Sequence, residues 1–127
     1  MKTSDQLLIG TYELGLRTIR LYVRPDGDGG SVKIFPADKG TAKVFIGIDC
    51  SWGEAVGILL HELYEVTLID LNTRYRKTPS FSSESSDFMF LLTHNELGEA
   101  HERIGETITE IFPAFAKAYK KLSPYKD

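Results

Sequence analysis

Apolar and polar residues alternate along the first part of the chain, and this period of two predicts β-strands. Four segments are separated by Gly15 and by two runs containing Pro, Gly and Asp, which are typical of turns. The segments span residues 6–14, 16–24, 31–35 and 41–49. Short consecutive strands joined by tight turns predict an antiparallel β-meander.

The spacing of apolar residues along the chain then changes from the period of strands to the period of helices. A long apolar run without Pro or a turn cluster covers residues 55–71, and Ser51 with Glu54 forms a capping-box pattern just before it. The run predicts a buried helix that ends near residue 71 or 72. A second capping box at Thr93 and Glu96 opens another helix. The apolar stripe predicted for that helix contains Leu97, His101, Ile104, Ile108, Ile111 and Phe115.

The segment between the two helices is polar from residue 74 to 87, which predicts an exposed loop, and residues 88–92 predict one more short strand. Pro113 lies inside the second helix and predicts a kink, because proline removes a helical hydrogen bond. The expected fold is therefore a single α+β domain. It consists of an antiparallel β-meander packed against a buried helix, a further short strand and a kinked C-terminal helix.

Composition narrows the classes of function. The 127 residues carry a net charge of −3, which argues against a general nucleic-acid binder. Basic residues concentrate in the predicted sheet, where they are expected to divide between its two faces: Arg17, Arg20, Arg24, Lys33 and Lys43. The single cysteine gives no intrachain disulfide, and no signal peptide or membrane span is recognised. A cytoplasmic protein is the expectation.

Three ionisable residues interrupt the apolar run of the first helix. His61 and Glu65 are four residues apart, so a helix places them on the same face, and Glu62 lies beside them. A buried charge needs a partner or a metal ion. An imidazole and a carboxylate at this spacing can bind one divalent cation. The alternative is a hydrogen-bonded pair in the core without a metal.

The sequence His61-Glu62-Leu63-Tyr64-Glu65 resembles the metal-binding helix of the zincin metallopeptidases, whose signature is His-Glu-x-x-His. The resemblance implies that His61 is a metal ligand and that Glu62 is the general base. Glu65 stands at the place of the second histidine of the motif. The chain also resembles small proteins encoded by tailed bacteriophages, which implies no activity.

A further ligand must come from outside this helix, and only two other histidines exist. His94 and His101 are seven residues apart, about 10 Å along a helix axis, so both cannot easily bind one ion. His94 is favoured, because a side chain at a helix start is free to reach the site. His101 lies in the predicted apolar stripe. Its expected role is that of an alternative ligand, a core residue or a residue that contacts a ligand.

Two functions are therefore expected. The first is a minimal zincin-like metal-dependent hydrolase of the peptidase type, which binds Zn²⁺, or Fe²⁺ as the less favoured ion, through His61, Glu65 and His94. Glu62 would activate a metal-bound water for attack on a peptide or protein. The second is a non-catalytic phage-type protein that binds or inhibits a host protein in the host cytoplasm, with a structural His/Glu cluster.

Overall fold

A computed structural model describes residues 6–34, 40–71, 74–76 and 88–125. Its elements follow the chain as β1 (Leu7–Leu14), β2 (Arg17–Arg24), β3 (Gly30–Ile34), β4 (Thr41–Gly47), α1 (Trp52–Asp70), β5 (Arg74–Arg76), β6 (Phe88–Phe90) and α2 (His94–Leu122). Strands and helices segregate along the chain, so the predicted α+β class is confirmed.

The prediction of an antiparallel meander is wrong, because the four-stranded sheet is mixed and has the order β1-β2-β4-β3. β4 lies between β2 and β3, parallel to β2 and antiparallel to β3. The turn after β2 does not form a tight hairpin. It runs along the end of β4 instead, where the amide groups of Gly47 and Asp49 donate to the carbonyl groups of Gly29 and Gly27 at 2.7 and 2.9 Å. Alternation of side chains specifies which residues face the core but not which strand is the neighbour.

Both helices cover the same face of this sheet and form one core with it. The sheet contributes Leu14, Ile19, Leu21, Val23, Ala42, Val44, Ile46 and Ile48. The helices contribute Ala55, Leu59, Leu63 and Val66 from α1 and Ile104, Ile111 and Phe115 from α2. The opposite face of the sheet carries Tyr22 and Phe45, whose rings stack at 5.0 Å.

Capping boxes define the start of both helices as predicted. The hydroxyl groups of Ser51 and Thr93 accept hydrogen bonds from the backbone of Glu54 and Glu96, respectively, and each glutamate accepts one in return. The chain remains helical through Pro113, so the predicted kink does not interrupt α2.

The segment between the helices differs from its prediction at its start. β5 was expected to be loop, but it pairs antiparallel with β6, and the predicted strand at 88–92 is confirmed as β6 at residues 88–90. The rest of the predicted loop, residues 77–87, lies outside the described residues.

A forked ion pair joins the start of β2 to the end of α1. The guanidinium group of Arg17 donates to both carboxylate oxygens of Asp70 at 2.6 to 3.1 Å, and both side chains are more than four-fifths buried. We expect Asp70→Asn to destabilise the protein by about 1.5 kcal/mol, since it breaks a charge-assisted pair and leaves Arg17 without its counter-charge.

Glu99→Gln is the matched control for Asp70→Asn, because the Glu99–Arg103 pair is more exposed and links residues one turn apart on α2. Such pairs contribute about 0.5 kcal/mol or less. Urea unfolding of both variants measures the difference. Equal destabilisation by the two substitutions would contradict the structural role given to Asp70.

Candidate functional site

His61 and Glu65 stand one turn apart on α1, as predicted, and the structure brings their side chains together. The imidazole Nε2 lies 3.5 Å from the carboxylate Oε2 of Glu65. However, the expectation that this pair is buried is wrong: the side chain of His61 is 70 % exposed and that of Glu65 is 34 % exposed. The core face of α1 is formed by Leu59, Leu63 and their neighbours, and His61 projects away from it. The pair is therefore open to ligands.

Glu62 is the buried ionisable residue of the cluster, with only 5 % of its surface exposed. Its Oε2 atom lies 3.9 Å from Nε2 of His61, too far for a hydrogen bond. Burial, together with the nearby charge of Glu65, raises the pKa of Glu62, while His61 lowers it by less. A carboxyl group tuned in this direction suits proton transfer near neutral pH.

Gly30 of the edge strand β3 allows Glu62 to take this position. A Cβ atom at Gly30 would lie 2.7 Å from Ile58 and 2.9 Å from Oε2 of Glu62, closer than real side chains approach. The absent side chain therefore places the carboxyl group of Glu62 directly against the backbone of β3. The sequence did not reveal this contact, because it depends on which strand occupies the edge of the sheet.

An open cavity of about 490 Å³ lies between β3 and α1. Its lining residues are Gly29, Gly30, Glu54, Gly57, Ile58, His61 and Glu62. A glycine inside a helix, such as Gly57 in α1, serves close helix packing or leaves space beside a site. No atom lies within 4 Å of a Cβ placed there, so the structure supports the second.

The other two histidines do not join the cluster. His94 is the first residue of α2 and is exposed, and among the described residues no three His, Cys, Asp or Glu side chains are grouped to hold a metal ion. His101 is also exposed, rather than part of the buried stripe, and its ring contacts the edge of Tyr64 at 5.6 Å. The buried positions of α2 are Ala100, Ile104, Thr107, Ile111, Phe115 and Ala118.

The buried face of α2 is thus rotated slightly about the helix axis relative to the predicted face. The prediction placed Leu97 and His101 on the inside. Leu97 is 39 % exposed. The small residues Ala100 and Thr107 take the inward positions, and the hydroxyl group of Thr107 donates to the backbone carbonyl of Glu13 at 2.6 Å. Gly98 and Gly105 do not serve close helix packing, because a Cβ at either position would meet no described atom within 4 Å.

The spacing of His61 and Glu65 fits two ligands of one ion. Zinc–nitrogen and zinc–oxygen bonds of 2.0–2.2 Å at a tetrahedral angle separate two ligand atoms by about 3.4 Å, and the observed separation is 3.5 Å. Catalytic zinc sites take three protein ligands. The structure therefore provides two donors of the expected chemistry, with Glu62 beside them.

Comparison with known proteins does not identify a family for this chain. No protein-family model, no curated protein and no solved structure matches this chain. Within the described residues, no helix combines the length and the apolar character needed to cross a membrane.

Proposed function

We propose that the protein is a metal-dependent hydrolase that acts on peptide bonds. The observation that carries the proposal is the 3.5 Å contact of the His61 imidazole, which lines an open cavity, with the Glu65 carboxylate. The buried carboxyl group of Glu62 lies beside them. The exposed pair supplies two of the three protein ligands that a catalytic zinc site takes, and the buried acid supplies a candidate general base.

Each residue has a distinct role in this proposal. His61 and Glu65 would hold Zn²⁺ as two of its ligands. His94, exposed at the start of α2 and outside the cluster in this structure, is the proposed third ligand and would have to move towards them. A bound zinc ion supplies a Lewis acid and a water molecule whose pKa is lowered to about 7. Glu62 would act as the general base that takes a proton from the water and returns it to the leaving amine. Its carboxyl group lies beside Gly30, where the absence of a side chain leaves room for it.

The free edge of β3 supports an extended peptide as the substrate. Among the described strands, β3 pairs only with β4, and its other edge has unpaired backbone groups. An extended chain can add to such an edge through main-chain hydrogen bonds. Gly29 and Gly30 belong both to this region and to the cavity wall, so a peptide docked there would pass Glu62.

A specific observation favours a second candidate, a binding protein without catalysis. The described residues offer two metal donors rather than three. In that case the edge of β3 and the cavity would hold a segment of a host protein, as a phage-encoded inhibitor requires. The cluster of His61, Glu62 and Glu65 would then serve recognition only.

Metal binding tests the first candidate before any substrate is known. Titration of tag-free protein with Zn²⁺ should show one site per chain, and a chelator should lower the melting temperature of the loaded protein. We expect His61→Ala, Glu65→Gln and His94→Ala each to weaken Zn²⁺ binding at least about tenfold. His101→Ala is the matched histidine control and should bind like the wild type.

Two outcomes would change the assignment. Absence of Zn²⁺ binding, with a melting temperature that the chelator does not alter, would leave the binding-protein candidate. Loss of the metal in His101→Ala with retention in His94→Ala would exchange the roles of these two histidines.

A further inference from the structure

Three cations form a row across the helix-free face of the sheet. The strand register places Arg20 of β2 directly beside Lys43 of β4, and Lys43 directly beside Lys33 of β3. Neighbouring strands are about 4.8 Å apart, so the three side chains start close together. Like charges on directly opposed positions destabilise a sheet. The row therefore has a cost in stability that an anionic ligand would remove.

An aromatic pair beside this row orients two of the cations on the same face. Phe45 is 3 % exposed, and its ring stacks on Tyr22 at 5.0 Å with an interplanar angle of 20°. The guanidinium carbon of Arg24 lies 4.8 Å from the centre of the Phe45 ring, and Nζ of Lys33 lies 5.4 Å from it. These cation–π contacts hold both charges over the sheet.

The described residues place Glu13 of β1 on the same face, where its carboxylate accepts a hydrogen bond from the hydroxyl group of Thr18. None of Arg20, Arg24, Lys33 and Lys43 forms an ion pair with a described residue, although Arg17, on the same strand as Arg20, is paired with Asp70. Arg20 and Lys33 are exposed, and Lys43 is half-buried. The sequence suggested that the basic residues divide between both faces. In the structure Arg17 lies on the core side of β2, and the other four lie together on the opposite face, hereafter the cationic face.

We infer that the cationic face binds single-stranded nucleic acid. Phosphate groups would occupy the row of Arg20, Lys43 and Lys33, and a base would stack on the accessible part of Tyr22, which is half-buried. A basic surface that contains an aromatic ring is the combination that binds single strands without sequence preference. An acidic polypeptide would use the charges but would gain nothing from the ring.

The net charge of −3 does not oppose this inference, because many of the acidic residues lie on the helices, on the other side of the sheet. Glutamates at exposed or partly exposed positions of α2 account for five of them: Glu96, Glu99, Glu102, Glu106 and Glu110. α2 packs on the opposite side of the sheet, so its charges are separated from the cationic face by the core. The binding surface is local, which predicts moderate affinity with strong dependence on salt.

Fluorescence anisotropy with a labelled twenty-nucleotide oligothymidylate measures binding to the wild-type protein. Three phosphate contacts predict that log K falls with log salt concentration with a slope of about −2. Lys43→Gln should reduce the slope by about 0.7, the contribution of one phosphate contact to a single strand. It should also leave the melting temperature unchanged or higher, because it removes repulsion from the centre of the row.

Two further variants make the test specific. Lys120→Gln removes the same charge from α2 and should bind like the wild type. Tyr22→Leu should weaken oligothymidylate binding about fivefold, the lower end for loss of one stacked base, without altering the affinity for inorganic polyphosphate. Polyglutamate of equal charge should compete poorly.

Three results would overturn the inference. These are no binding at low salt, equal losses in Lys43→Gln and Lys120→Gln, and competition by polyglutamate as effective as that by unlabelled oligothymidylate. The last result would assign the face to an acidic protein. None of these measurements depends on metal or hydrolysis.

Discussion

Replacing Glu62 by Gln is expected to lower the rate of peptide hydrolysis by about 100- to 10,000-fold, the usual contribution of a general base. Glutamine keeps the shape of the side chain, so its place beside Gly30 and the His61–Glu65 pair remain. It cannot accept the proton of the attacking water. The variant should therefore retain Zn²⁺ affinity while kcat falls.

The same substitution should stabilise the protein when the metal is removed by a chelator. Glu62 is buried beside Glu65, and burial raises its pKa, so the folded protein binds this proton more tightly than the unfolded chain does. The wild type therefore loses stability as the pH rises from the unfolded value of about 4.3 through the raised value. Glutamine has no such loss. The gain in melting temperature should appear at neutral pH and vanish near pH 4.

Parallel assays of wild type and Glu62→Gln separate the candidate functions. The hydrolase predicts a large loss of turnover together with a gain in stability. The binding protein predicts the gain in stability alone, with no turnover in either protein. Equal turnover in both proteins with zinc bound would contradict the role of Glu62. A lower melting temperature of Glu62→Gln than of the wild type at neutral pH would contradict the claim that burial of the Glu62 charge is unfavourable.

Local signals in the sequence were sufficient to predict the helices. Each capping box joins residues three apart, and the structure shows the predicted hydrogen bonds at Ser51 and Thr93. The contact of His61 with Glu65 follows in the same way from helical geometry. Predictions of this kind need no knowledge of the rest of the chain.

Predictions that depended on tertiary packing were less accurate. The position of β4 between β2 and β3 is set by contacts between distant residues, and alternation within a strand carries no information about them. An apolar run suggested that α1 is buried on all sides, yet the sheet covers one face and leaves His61 exposed. Of the three ionisable residues in the apolar run, only Glu62 is buried. Its proximity to Gly30 could not be predicted without knowing the order of the strands in the sheet.

A methyl group at Gly47 is expected to destabilise the fold by about 3 kcal/mol, at the upper end for overpacking of a core. A Cβ atom there would lie 2.5 Å from the backbone nitrogen and Cα atom of Asp28. Backbone cannot rotate away as a side chain can. The turn would have to leave the end of β4, and the hydrogen bond from Gly47 to Gly29 would break with it.

Gly105→Ala is the matched control for Gly47→Ala, because a Cβ at Gly105 in α2 meets no atom within 4 Å. Alanine is favoured over glycine inside a helix by about 1 kcal/mol, so this variant should be more stable than the wild type. Urea unfolding of the two variants compares the same added methyl group in opposite environments. Because the turn also carries Gly29 of the cavity wall, Gly47→Ala should weaken Zn²⁺-dependent hydrolysis as well. A stability of Gly47→Ala within 0.5 kcal/mol of the wild type, roughly the effect of a neutral surface substitution, would contradict the close approach of the turn to β4.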